Sequence, residues 1–258
     1  MEVVKYREMN LRSAARTDVG RKRTLNEDAF LVDDDLGLYL VADGMGGHAA
    51  GEVASAEAVS TAYGMVKQAR STLSRLVEPL DEAQMRAAKR LMESAIQAAT
   101  YMVYTLAELD KEKSGMGTTI TGMLVLGDHA VIAQVGDSRI YQIRTGEAVQ
   151  LTEDHTLIAY QLREGLITAE EAKHSPHKNV ITRAVGNRDY VQVDTSVVRL
   201  EQGDHYLVCS DGLHGYLRTH EIPDIAALGG SAAVDRFIQL ANERGGKDNI
   251  TAILVDIV

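Results

Sequence analysis

Tryptophan is absent, cysteine occurs once, and basic residues are outnumbered, with 27 Lys and Arg against 37 Asp and Glu in 258 residues. Each shortage excludes something. A lone thiol can form no intrachain disulfide and offers zinc no thiolate pair, which fits a reducing compartment. Cys209 closes the apolar run Tyr206-Leu207-Val208-Cys209. It reads as a buried, inert thiol, with a catalytic nucleophile as the alternative. A net charge of -10 disfavours non-specific attraction to nucleic acid or anionic lipid. Without tryptophan there is no obvious platform for stacking a base. No window approaches the roughly 20 apolar residues that span a bilayer, and residues 1–8 lack the apolar stretch of a signal peptide. The chain therefore reads as cytoplasmic, with neither a membrane nor a nucleic-acid partner.

What is present is ordinary globular material: 45% hydrophobic and 25% charged residues, enough for one core, so residues 1–258 read as a single domain. Ala14 to Asp18, Ala29 to Val32 and Leu38 to Val41 read as strands. The periodicity predicts helices over about Glu52 to Arg70 and Asp81 to Leu109, the second with Ala88, Leu91, Ala95, Met102 and Leu106 on one face. Strands follow at Thr118 to Leu126, Ala130 to Val135 and Arg139 to Ile143. Their short Gly-Asp turns predict a meander in which neighbours pair antiparallel. Glu153 to Ser175 is polar and reads as an excursion from the sheet. Strands resume at Val191 to Arg199 and Tyr206 to Cys209, a helix covers Ala232 to Glu243, and Asn249 to Val258 is a final strand. Strands in two blocks with helices between them give an α+β class with antiparallel sheets.

Four aspartates share one context. Asp43, Asp137 and Asp211 each end an apolar run, and Asp248 begins one. A strand end is a rigid mount, and several can bring carboxylates to one place. Close carboxylates repel, so such a group either keeps protons or binds a hard divalent cation, Mg²⁺ or Mn²⁺ in preference to zinc. Gly44, having no Cβ, lets its carbonyl approach an ion. Arg23 stands just before Glu27 and Asp28, where a guanidinium could grip a phosphate or simply be a solvated charge. His155, His174 and His177 lie in polar sequence and read as solvated.

In order along the chain stand Arg23 to Asp28, Val41-Ala42-Asp43-Gly44-Met45-Gly46-Gly47-His48, Gly115-Met116-Gly117-Thr118-Thr119 and Gly136-Asp137-Ser138-Arg139. Thr182-Arg183-Ala184-Val185-Gly186, Ser210-Asp211-Gly212-Leu213 and Lys247-Asp248-Asn249-Ile250-Thr251 follow. This ordered set, over about Ala14 to Val255, resembles the metal-dependent serine/threonine protein phosphatases of the PPM (type 2C) family in their compact bacterial form. The resemblance implies an α/β/β/α sandwich of two antiparallel sheets flanked by helices, and a hydrolase that dephosphorylates phosphoserine and phosphothreonine on proteins through a metal-activated water.

It also implies roles. Asp43 bridges two Mn²⁺ or Mg²⁺ ions and Gly44 lends a carbonyl to one. Asp211 and Asp248 complete the other, Glu27 and Asp28 hold metal-bound waters, and Asp137 with Asp211 forms a third, weaker site. Arg23 receives the phosphate. Glu153 to Ser175 becomes a flap beside the site. Animal members have a histidine directly after Asp-Gly where this chain has Met45; His48, three positions on, is the corresponding candidate general acid, with a structural histidine as the alternative. The implied partners are phosphorylated proteins and an opposing serine/threonine kinase. Two other readings stand beside this one: a phosphate-sensing or scaffold relative, which should have lost the aspartates that are present here, and a small-phosphoester hydrolase, which would need a recognition pocket.

Overall fold

The run Leu38-Tyr39-Leu40-Val41-Ala42 contains no polar residue to mark an outer face, and the computed structural model shows why. It describes residues 9–46, 50–69, 80–177 and 180–258. In strand β3 (Leu38–Met45), Leu38, Leu40 and Ala42 face a helical layer, while Tyr39 and Val41 face a second sheet. In β11 (Ile250–Ile257), Ile250, Ala252 and Leu254 likewise face helices and Ile253, Val255 and Ile257 the opposite sheet. A strand covered on both sides needs apolar residues at every position, whereas one wet face would produce alternation.

One sheet is ordered β1 (Leu11–Asp18), β11, β10 (His205–Cys209), β7 (Arg139–Arg144), β8 (Glu147–Gln150). The other is ordered β2 (Asp28–Asp33), β3, β5 (Ile120–Leu126), β6 (His129–Val135), β9 (Asp194–Arg199), with short β4 (Gly117–Thr118) beside β3. All of these pairings are antiparallel. Helices α1 (Gly51–Gln68) and α2 (Glu82–Leu109) cover the second sheet. The short α5 (Asp211–His214) and α6 (Ile222–Ala226) and the longer α7 (Gly230–Glu243) cover the first. The result is the four-layer α/β/β/α sandwich. Among the described residues no helix is long and apolar enough to cross a membrane.

Helix α2 starts at a capping box, with Asp81 accepting from the Gln84 N–H and the Gln84 side chain accepting from the Asp81 N–H. Its buried stripe runs through Ala88, Met92, Ala95, Ala99 and Val103, so Met102 falls past the edge and is exposed. The positions named from the sequence lie on an arc offset from the centre of the buried stripe, which explains that misplacement. A second correction concerns the meander. β5 and β6 pair, but β6 and β7 lie in different sheets, and Gly136, at φ +108°, turns the chain from one sheet to the other. The stretch after Glu153 carries α3 (Leu157–Arg163) and α4 (Ala169–His174).

Candidate metal centre

The centre forms where four strand ends meet. Antiparallel register sets Asp28, opening β2, directly opposite Asp43 near the end of β3. Asp43 is held by its backbone: its N–H donates to Thr119 Oγ1 at 2.9 Å, and its carbonyl accepts from the Thr119 N–H and Thr118 Oγ1, each at 2.9 Å. Asp211 follows β10 at the first turn of α5, Asp248 precedes β11, and Asp137 sits at the corner between the sheets. Ser210 and Thr251 tie these ends together. Ser210 Oγ donates to Asp28 Oδ2 at 2.8 Å and Thr251 Oγ1 donates to the same oxygen at 2.6 Å, while Ser210 Oγ accepts from the Thr251 N–H.

The carboxylates share one low-dielectric region and feel one another. Asp43 is lifted well above the usual carboxylate range, by burial first and then by the charges of Asp28, Asp211 and Asp137. Asp28 is raised to about 7, by burial and then by Asp211 and Asp248 against the hydroxyl donors that oppose the shift. Burial, then Asp211 and Asp154, raise Asp137 to about 7, and Asp211 is raised by burial and Asp248. Repulsion of this kind is what a divalent cation relieves.

Two further observations test the fit. Asp28 Oδ1 is buried and has no hydrogen-bond partner, so one carboxylate oxygen is left for a ligand or its water. Among the described residues no three His, Cys, Asp or Glu side chains close tightly enough to cage an ion alone. The groups that gather here are carboxylates, the oxygen donors of a hard ion that keeps several waters rather than the nitrogen and sulfur donors zinc favours. The residues fit hydrated Mn²⁺ or Mg²⁺.

Arg23 stands at the rim, about half exposed, with Nη2 donating to Asp248 Oδ2 at 2.8 Å and Nη1 lying 3.8 Å from Glu27 Oε2. Glu27 is fixed through its backbone: its N–H donates to Asn249 Oδ1 at 2.8 Å, and its carbonyl accepts from the Gly44 N–H at 3.0 Å and Ser55 Oγ at 2.6 Å. Gly44 is needed for space, because a Cβ there would collide with the Gly51 and Glu27 carbonyl oxygens. Gly212, after Asp211, has the same problem against the Asn249 carbonyl. A groove of about 430 Å³ opens beside Asp137 and Asp211, walled on one side by His214 and on the other by Ile158 and Leu162 of α3. His48 lies outside the described residues.

Sequence reasoning gave no role to Asn249, Ser210, Thr251, Thr119 or His214. Asn249 binds the front segment from three directions, adding donations from Nδ2 to the Val19 and Leu25 carbonyls. Partly buried His214 donates from Nε2 to the Asp137 carbonyl at 2.9 Å, and desolvation, then Arg139, pushes its pKa down to about 4, so it supports the corner as a neutral ring. The available signal was a polar residue inside an apolar strand end, which must find a partner when buried. His155 corrects the expectation of a solvated ring, being only 5% exposed, whereas His174 and His177 are exposed. Cys209 is buried and burial raises its thiol to about 12, as expected of an inert residue.

The protein phosphatase 2C family model matches residues 19–255. The serine/threonine phosphatase stp of Listeria welshimeri is 40% identical over 246 residues, covering 93% of this chain and 94% of that protein. Protein phosphatase PhpP of Streptococcus pneumoniae is 37% identical, covering 93% and 95%. Among solved structures, the Mycobacterium tuberculosis serine/threonine phosphatase PstP/Ppp superposes with a TM-score of 0.83 at 34% identity, covering 96% of this chain and 98% of that one. The catalytic domain of PstP in complex with two manganese ions gives 0.82 at 33% identity, covering 97% and 99%.

Proposed function

The chain belongs to the protein phosphatase 2C family and is a metal-dependent protein serine/threonine phosphatase, and from that premise we propose how its own residues divide the work. Two Mn²⁺ or Mg²⁺ ions, when bound, supply a water ionised near neutral pH as the attacking nucleophile. Asp43 and the Gly44 carbonyl hold the pair from β3, and Asp211 and Asp248 hold it from the other sheet. Glu27 and Asp28 orient coordinated water, for which the unpartnered Asp28 Oδ1 is available. Asp137 with Asp211 offers a weaker third position beside the groove.

Arg23 binds the phosphate. Its guanidinium is kept over the carboxylates by Asp248 and Glu27 while remaining half exposed, so it can present a planar pair of donors to an incoming phosphoryl group. His48 is the proposed proton donor to the leaving oxygen, on sequence grounds alone. The whole chain acts as one catalytic domain, with residues 153–175 as the flap, and its phosphoprotein substrates include targets of a serine/threonine kinase that it opposes.

The observation carrying this assignment is the cluster of partly buried, mutually repelling carboxylates at the strand ends, with Arg23 at its rim. Purified protein should hydrolyse p-nitrophenyl phosphate and peptides bearing phosphoserine or phosphothreonine when Mn²⁺ or Mg²⁺ is present, and phosphotyrosine peptides poorly. EDTA should abolish turnover. Phosphopeptide hydrolysis that continues in EDTA would refute the assignment.

A further inference from the structure

The corner between the two sheets is held by a side chain outside the metal centre. Gly136 needs its positive φ, and a Cβ there would press into the Thr119 side chain, so the corner is tightly enclosed. From within, Gln134 Nε2 donates to the Gly136 and Ser138 carbonyls, each at 3.1 Å. The remaining Gly136 N–H is buried and needs an acceptor, and it donates to His155 Nδ1 at 3.0 Å.

That bond settles the tautomer. Nδ1 accepts, so Nε2 carries the proton and donates to Asp194 Oδ2 at 3.0 Å. Arg183 Nη1 lies 3.1 Å from the same nitrogen, but both atoms carry hydrogen, and its bond goes to Asp194 Oδ1 at 2.7 Å. Asp194 opens β9 and pairs in register with Gln134. The backbone repeats the link: the His155 N–H donates to the Gly136 carbonyl at 2.9 Å, and the Thr182 N–H donates to the His155 carbonyl at 2.8 Å. Thus one buried imidazole touches the corner next to Asp137 with one nitrogen and reaches, with the other, the carboxylate that holds Arg183 at the flap's exit.

We propose that His155 is a positioning residue that holds the Asp137 corner with one nitrogen and, with the other, ties the start of the flap to the carboxylate beside the segment that follows it, so that one ring supports both ion binding at Asp137 and flap pose. This rests on reading Asp137 as an ion ligand, and the two nitrogens allow the two functions to be separated. Asparagine places an oxygen near the Nδ1 position, whereas glutamine places its amide near Nε2. His155→Asn therefore keeps the acceptor for Gly136 and drops the Asp194 link, and His155→Gln does the reverse. Both retain the backbone bonds, so both should fold, with melting temperature as the control.

The test uses the full chain and two readouts besides turnover: calorimetric titration with Mn²⁺, and the rate of trypsin cleavage after the exposed flap residues Arg163 and Lys173. His155→Gln should weaken the weakest Mn²⁺ site about tenfold, the loss usual for an outer support of a ligand, with little change in cleavage. His155→Asn should keep Mn²⁺ affinity within about threefold but speed cleavage roughly tenfold, as loss of one charge-assisted hydrogen bond allows. Wild-type values for both variants in both readouts overturn the inference. Equal loss of both in both variants, alongside a lowered melting temperature, overturns it too, leaving His155 as core filling. A wild-type chain with tight Mn²⁺ sites but no weaker one defeats the Asp137 reading itself, and a chain that binds no Mn²⁺ defeats the proposed function.

Discussion

At the scale of single residues, the chemistry depends on carboxylates that the fold would rather keep protonated. Asp28 and Asp137, both raised to about 7, bind protons in the folded state that the unfolded chain has already released. For groups shifted upward, stability declines as pH rises from about 4 to 7 and stays low above that range. In chelating buffer the melting temperature should therefore rise between pH 8 and 6.5, and saturating Mn²⁺ should flatten the trend. Asp28→Asn should raise the metal-free melting temperature at pH 8 by about 2–4 °C, equivalent to about 1 kcal/mol for a chain of this size, while lowering turnover. A destabilised Asp28→Asn protein under those conditions would show that the carboxylate is not strained by its neighbours. The acids were legible because charge at an apolar run's end is conspicuous. Their hydroxyl and amide supports, Ser210, Thr251, Thr119 and Asn249, were not, because short polar residues are commonplace at strand ends and only three-dimensional contact reveals whom they serve.

At the scale of elements, the centre is a set of junctions packed without slack. Where β3 runs on toward α1, Gly44 lies against both Gly51 and Glu27, so Gly44→Ala must push the helix start or the Glu27 strand away. A shift of about 1 Å in reacting groups can cost roughly a hundredfold, and Gly44→Ala should lose at least that much kcat with the sheets intact by circular dichroism. Activity within about threefold of wild type would show that the junction tolerates movement. Helix and strand positions were largely readable from periodicity, because α1, α2, α7 and the doubly covered strands carry strong patterns. What failed was connectivity. A two-residue Gly-Asp turn fits a hairpin and a sheet-to-sheet corner equally well, and the choice at Gly136 is made by distant partners, β9 for β6 and β10 for β7. The short edge strand β8 and the one-turn α5 and α6 were missed for want of length to establish a period.

For the whole molecule, a sandwich whose two sheets bring the acids from separate strands would make ion binding at the proposed centre a cross-link: Asp28 and Asp43 come from one sheet, and Asp211 and Asp248 flank strands of the other. A net charge of -10 further favours cation uptake, and on the proposed reading the phosphate is met by ions and Arg23. The most direct measurement is a calorimetric Mn²⁺ titration of wild type and Asp211→Asn, with phosphothreonine peptide hydrolysis followed in the same samples. Wild type should bind at least two ions and turn over only as they bind, while Asp211→Asn should lose a site and about a hundredfold or more in kcat. Unchanged Mn²⁺ binding and unchanged turnover in Asp211→Asn would contradict the shared-ion centre outright.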